Sequence, residues 1–233
     1  MHAWRCSCGT RARGAVIPVI RHLAVAASAG VVLALVNGCT RNADDARPMP
    51  AAVAAPIQVL QVVDLLSPKV AGTEGNLFVT AEPERCSGLA QEVDPPFLDA
   101  NRPLATDGGH WITEDAAVFV EEMVAVYRFD FDPAAALDNV RRAVESCRDT
   151  PLTVTTMGQR KHVFAVLPAT GDAPQGSVVW TLRSADWNCD NTFVAAHNAA
   201  IEITTCGAAG GFDVAALADD ALKRIDALAN TTA

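Results

Sequence analysis

The residues with the most definite chemistry in this chain are its cysteines, because a thiol can form a disulfide, bind zinc or act as a nucleophile. Seven cysteines occur among the 233 residues. Structural zinc sites bring together cysteines a few residues apart in the sequence, whereas the four beyond residue 39 are widely spaced. In an exported protein such an even number predicts two disulfides. These four residues are Cys86, Cys147, Cys189 and Cys206.

Sequence spacing also predicts how these cysteines pair. Cys189 and Cys206 are equidistant from the dipeptide His197-Asn198. If that dipeptide forms a two-residue hairpin turn, the two cysteines face each other at a non-hydrogen-bonded pair, where the Cα atoms of two strands are closest and a disulfide can form. Residues 192–200 could instead form a short helix. The hairpin leaves the other two cysteines to pair, and the predicted disulfides are Cys86–Cys147 and Cys189–Cys206.

Other side chains capable of chemistry form weaker patterns. The three histidines beyond residue 39 have no second ligand at metal-binding spacing. Gly176-Ser177 lacks the second glycine of a nucleophile elbow. The acid pairs Glu121-Glu122 and Asp219-Asp220 resemble a solvated face more than the two separated carboxylates of a glycosidase. The sequence therefore predicts no metal, no cofactor and no catalytic residue, and an envelope hydrolase acting on lipid or glycan is the alternative.

The first 38 residues have the layout of a secretion signal. Basic residues extend to Arg21, residues 23–36 are uncharged, and Gly38 precedes Cys39. This apolar run of 14 residues is shorter than the roughly 20 that a transmembrane helix needs. Residues 1–38 are therefore predicted to be a signal peptide.

The block Val36-Asn37-Gly38-Cys39 resembles the bacterial lipobox, in which the cysteine thiol receives diacylglycerol before the leader is cut. Cleavage nearby without lipidation is the alternative, and it would release the protein. Residues 39–56 are rich in Ala, Pro, Asp and Arg, which predicts a flexible tether. We therefore expect an exported protein, lipid-anchored through Cys39 at the outer face of the cytoplasmic membrane.

Charge excludes one class of partner. The formal net charge is −9, and because four basic residues and no acid precede Cys39, the rest of the chain carries −13. Proteins that bind nucleic acid usually present a basic surface. No nucleic-acid partner is therefore expected.

Periodicity predicts an α+β fold with an antiparallel sheet and packed helices. Apolar residues recur at every third position over residues 57–66, and Asp132-Pro133 has the residue types of a helix start. Helices are predicted over residues 57–66, 83–91, 133–147 and 213–229, strands over residues 117–131, 152–156, 161–167 and 177–183 and in the hairpin, and a polar loop over residues 100–110.

Trp187-Asn188-Cys189, Ile201-Glu202-Ile203 and Cys206-Gly207 flank the His197-Asn198 dipeptide. This pattern resembles the extracellular sensor domain of the mycobacterial PknH-type serine/threonine kinases. The resemblance covers residues 57–229, so the expected folded domain is 57–233. It implies two disulfides, one long-range and one short, and a cleft for an unidentified small envelope ligand or protein partner. The kinase motifs themselves do not occur in the chain.

Four residues are the candidates for lining such a cleft. An indole offers a flat apolar surface and one hydrogen-bond donor, which suits lipids or sugars, and packing in the core is the alternative role. Together these patterns predict a non-enzymatic, lipid-anchored envelope protein that binds a ligand or partner, and a purely structural lipoprotein is a further alternative. The candidates are Trp111, Trp180, Trp187 and His197.

Overall fold

The computed structural model describes residues 55–73, 78–92, 95–113, 117–168, 173–210 and 213–231. The predicted signal peptide, Cys39 and all but the last two residues of the predicted tether lie outside these ranges. No helix within the ranges is both long and apolar enough to cross a membrane.

Within these ranges nine antiparallel strands form one sheet, in the order β1-β3-β4-β9-β8-β7-β6-β5-β2. The β6 strand serves both halves of the sheet, because its first residues pair with β5 and its last residues pair with β7. The strands are β1 Gly72–Thr73, β2 Phe78–Glu82, β3 Ala105–Ile112, β4 Val118–Val126, β5 Leu152–Thr156, β6 Lys161–Pro168, β7 Ser177–Arg183, β8 Asn188–Ala196 and β9 Ala199–Gly207.

Helices cover both faces of this sheet. One face, here the α2 face, packs against α1 (Pro96–Asp99), α2 (Pro133–Cys147) and a 3₁₀ helix at Glu84–Leu89. The other, the α3 face, packs against α3 (Val214–Thr231) and a 3₁₀ helix at Val59–Leu65. Alternate side chains along each strand therefore enter different cores.

The predicted hairpin and the predicted α+β class are both confirmed. β8 and β9 pair so that Ala196 lies opposite Ala199 and Cys189 lies opposite Cys206. The helical alternative for residues 192–200 is therefore wrong. The alternation of apolar and polar residues predicts a half-buried hairpin. In the structure both faces of β9 are covered, and all nine of its residues are buried.

Both predicted cysteine pairs form disulfides. Cys189 and Cys206 join the two strands of the hairpin, with their Cα atoms 4.2 Å apart. Cys86, in the second 3₁₀ helix, is bonded to Cys147, the last residue of α2, with a Cα separation of 5.9 Å. The second bond holds two helical elements together on the α2 face.

The predicted polar loop at residues 100–110 is wrong, because Ala105–Ile112 forms the strand β3. Its polar, glycine-rich sequence has little strand propensity, and the strand is held instead by eight paired positions along β4. Gly109 is required for close approach to β1, since a Cβ atom there would lie 2.6 Å from the carbonyl oxygen of Gly72.

The predicted first helix forms, but two apolar residues of its period-three pattern, Leu60 and Val63, are exposed. The element is a 3₁₀ helix at Val59–Leu65, in which side chains three residues apart lie on one line. The buried residues are Ile57, Val62 and Leu65, whereas Leu60 is 91% exposed and Val63 is also exposed. Two members of the period-three pattern, Leu60 and Val63, are therefore left on the surface.

Candidate functional site

The candidate site is an aromatic groove at the edge of the α2 face, with a volume of about 440 Å³. This volume lies within the range of roughly 300–1,000 Å³ that is typical of small-molecule sites. Four separate segments form it: the start of β2, the β5–β6 turn, the start of β6 and the loop before β8. The lining residues are Phe78, Thr156, Met157, Gly158, Arg160, His162 and Trp187.

Aromatic rings form the floor and one wall of the groove. Phe78 is buried and contacts Phe164, with ring centroids 5.8 Å apart. His162 is stacked with the same Phe164 ring at 6.0 Å, and Trp187 lies 6.4 Å from His162. Met157 is 71% exposed and forms the opposite lip. The rings and the thioether give an apolar surface.

Local turns hold the polar groups at the rim. In the β5–β6 turn, the Thr156 hydroxyl accepts a hydrogen bond from the Arg160 backbone N–H at 3.1 Å. Gln159 adopts a positive φ of 60° in that turn. Across the groove, Ser184 Oγ accepts from the backbone N–H of Trp187 at 3.1 Å and lies 2.7 Å from its carbonyl oxygen, to which it donates. Both rim residues are therefore fixed through their backbones.

Two hydrogen-bond donors at the rim are available to a ligand. Within the described ranges, neither the guanidinium of Arg160 nor the indole N–H of Trp187 has a protein partner. His162 Nδ1 is 3.1 Å from Asp186 Oδ1, which orients the imidazole. The groove thus combines an apolar floor with one cationic and one neutral donor.

The His162–Asp186 pair is also the geometry of half a hydrolytic triad. The Ser184 hydroxyl donates to the Trp187 carbonyl at 2.7 Å and to Asp186 Oδ1 at 3.4 Å, and among the described residues it makes no hydrogen bond to the imidazole. A triad needs the hydroxyl on the second imidazole nitrogen. The arrangement therefore orients a histidine without activating this serine.

The structure does not bring the four predicted cleft residues together. Trp187 lines the aromatic groove, whereas His197 lies at the β8–β9 turn, 3.0 Å from Asp226. Trp180 is fully buried on the α2 face, where its Nε1 donates to the Leu89 carbonyl at 2.9 Å. Trp111 is buried on the α3 face. Strand alternation sends these two indoles into opposite cores, so they have the packing role.

Buried acids are the feature that sequence reasoning missed. Glu121 and Glu122, predicted to form a solvated face, are both buried because β4 lies inside the sheet. Glu122 accepts hydrogen bonds from Arg224 and from the backbone N–H of Ser67. Burial raises the pKa of Glu122, and Arg224 opposes that shift without cancelling it.

Another buried acid, Glu202, has no ion pair with a described residue. Burial raises the pKa of Glu202 well above its ordinary value. Its Oε2 atom and the Oδ1 atom of Asn191, both on the α2 face, have no hydrogen-bond partner among the described residues. A protonated carboxyl group is the form that this environment favours.

The strands, helices and two disulfides define an α+β domain built on an antiparallel sheet. Residues 75–224 match the PknH-like extracellular domain family, so the chain belongs to that family. The matched range includes the whole groove and all four cysteines.

Individual relatives agree with this assignment. Proteins of Mycobacterium tuberculosis and Mycobacterium bovis that carry the lipoprotein name LprH are 27% identical over 158 residues. The alignment covers 64% of this chain and 64% of those relatives. The crystal structure of the extracellular domain of PknH from M. tuberculosis superposes with a TM-score of 0.56 at 17% identity, covering 75% of this chain and 98% of that one. That similarity confirms the fold.

Proposed function

We propose that this protein is a lipid-anchored component of the cell envelope whose PknH-like domain binds a small amphipathic molecule in the aromatic groove. The protein acts by binding and not by catalysis. The observation that carries the proposal is the groove itself, an apolar surface made by Phe78, Met157 and Trp187, with rim donors that no described residue pairs.

The chemistry of the groove limits the ligand class. The rings and the Met157 side chain favour an acyl chain or the apolar face of a sugar. The free guanidinium of Arg160 favours a carboxylate or phosphate, which it can bind through two parallel hydrogen bonds. A molecule that carries both parts, such as an acidic lipid or glycolipid, matches the groove.

The anchor is supported by sequence and by relationship. The chain places Gly38 and Cys39 after an uncharged run, and relatives at 27% identity carry a lipoprotein name. Lipidation at Cys39 would hold the domain outside the cytoplasmic membrane.

Native mass spectrometry tests the groove. Residues 40–233, secreted from a mycobacterial host and purified without detergent, are expected to carry an additional mass that organic solvent removes. Trp187→Ala and Arg160→Ala are expected to lose that mass, because each removes a rim donor. Lys161→Ala is the matched control, since Lys161 is an exposed neighbouring cation outside the groove.

Two results would contradict the proposed site. A wild-type protein without additional mass under several growth conditions would indicate a protein partner in place of a small ligand. Equal retention of the mass by Trp187→Ala and Lys161→Ala would place the ligand outside this groove.

A further inference from the structure

One end of the sheet carries exposed apolar side chains that no part of the described fold covers. This end, here the tether end, contains the β8–β9 turn, the last residue of β4 and the first residue of β3. Three large exposed apolar residues belong to the segments at this end: Leu60, three residues after Ile57, is 91% exposed, Phe129 is 80% exposed and Leu104 is 53% exposed.

Hydrogen bonds join these segments into one surface. Asn198 in the β8–β9 turn accepts from the backbone N–H of Ile57 at 2.9 Å, and its amide donates to the carbonyls of Ile57 and Tyr127 at 3.0 Å each. The Leu104 N–H donates to Val126 at the end of β4 at 2.8 Å. Pro56 and Phe129 line the same small depression beside the turn. The chain therefore enters the fold in the middle of the exposed apolar residues.

We propose that the tether end is a membrane-docking surface, which inserts Leu60, Leu104 and Phe129 into the bilayer that holds the anchor. This inference rests on the proposed lipidation of Cys39. Seventeen residues separate Cys39 from Ile57, and a coil of that length has a root-mean-square span of only about 23 Å. Docking is therefore an intramolecular step at a high effective concentration of lipid surface.

Apolar contact and not charge drives this docking. Arg128 lies 3.8 Å from Asp130, and His197 contacts Asp226, so basic and acidic groups are mixed at the tether end. Such a surface has no strong field for anionic lipid headgroups. Docking is therefore expected to change little with salt concentration.

Part of the tether end lies outside the residues that match the family, 75–224. Leu60 and Val63 precede residue 75, where the match to the family begins. Their spacing of three residues places them on one line of the 3₁₀ helix, exposed beside the point where the chain enters the fold. Membrane docking is thus an inference for this chain and not for every member of the family.

Tryptophan fluorescence with brominated lipids tests the proposal. The full processed chain is incorporated in vesicles of phosphatidylethanolamine and phosphatidylglycerol, with or without bromine on the acyl chains. Leu104→Trp is the probe. Ile112→Trp is its matched control, because Ile112 is 55% exposed at the far end of β3, the strand that begins one residue after Leu104, roughly 26 Å away.

Bromine is expected to lower the added emission of Leu104→Trp roughly twofold and to leave that of Ile112→Trp unchanged, because surface-docked elements insert only about 5–10 Å. Leu60→Asp, at a fully projecting position, is expected to reduce the quenching of Leu104→Trp. Absence of quenching at position 104, or equal quenching at positions 104 and 112, overturns the proposal.

Separate readings distinguish the anchor from the docking surface. Failure of the wild-type protein to float with vesicles contradicts the proposed anchor. The docking surface is then tested by the quenching of Leu104→Trp in an excess of vesicles. Absence of quenching there overturns the docking proposal. Flotation without quenching at position 104 overturns docking alone. A blue shift of Leu104→Trp with rising protein concentration, in the Cys39→Ser form without lipid, assigns the surface to a second copy of the chain and also overturns docking.

Discussion

At the scale of single residues, Glu202 is the buried carboxyl group with the clearest consequence for stability. Its pKa is raised by burial in the folded state, so the folded protein holds the proton more tightly than the unfolded chain. The contribution of this proton to stability is present below the unfolded pKa of about 4.3. It is lost as pH rises from there toward the higher pKa of the folded state.

Glu202→Gln is therefore expected to remove this loss, because glutamine stays neutral at every pH. The free energy of unfolding of the variant relative to wild type should rise between pH 5 and pH 7.5, by at most about 1.4 kcal/mol per pH unit. Urea denaturation at several pH values measures the difference. A difference that does not change with pH would show that Glu202 ionises normally in the folded protein.

Glu122→Gln provides the contrast at a neighbouring buried acid. It removes the charge that pairs with Arg224, and breaking a buried ion pair costs roughly 3–5 kcal/mol because the remaining charge is left without a partner. This variant is expected to be destabilised at pH 7, whereas Glu202→Gln is not.

At the scale of elements, the start of α2 and the register of the hairpin were predicted, because residues close to them in the sequence determine both. The α2 helix begins at Pro133 as expected, with the Asp132 carboxylate accepting from the N–H of Ala135 at 3.0 Å. Symmetric cysteine spacing predicted the hairpin register. β3 could not be predicted in this way, because its strand conformation comes from pairing with β4.

The groove was also beyond prediction, because its residues come from segments separated by up to 109 positions, from Phe78 to Trp187. Of the four predicted cleft residues only Trp187 lies in it. The period of three over residues 57–66 predicted the first helix, and two residues of that pattern, Leu60 and Val63, are exposed. Spacing identifies an apolar face but not what covers it.

The hairpin disulfide supports a prediction at this scale. Cys206→Ser is expected to leave Cys189 as a free thiol and to cost about 3 kcal/mol on the loop-entropy estimate, since the loop it closes spans 17 residues. Alkylation of the unfolded protein followed by peptide mass mapping identifies the free cysteine. Labelling of Cys86 or Cys147 in this variant would be inconsistent with the two pairings.

At the scale of the whole molecule, the groove and the tether end lie at opposite ends of the sheet. β8 begins beside Trp187 and ends at the turn beside His197, and its nine residues span roughly 30 Å. The β5–β6 turn, with Arg160 and Met157, lies at the same end as Trp187. A domain docked through its tether end therefore presents the groove away from the bilayer, toward ligands in the outer envelope.

This orientation depends on the anchor, which the substitution Cys39→Ser tests. The serine hydroxyl is not a substrate for lipid attachment at a lipobox, so the variant, exported behind a leader that is cut without lipidation, is expected to move from the detergent phase to the aqueous phase in Triton X-114 partitioning. Three docked side chains alone give only weak, reversible membrane binding, as does a single acyl chain. Cys8→Ser, within the predicted leader, is the matched control and should partition as wild type does. If Cys39→Ser stays in the detergent phase, a contact other than the lipid on Cys39 holds the domain at the membrane. The length of the tether then no longer determines which end of the sheet faces the lipid.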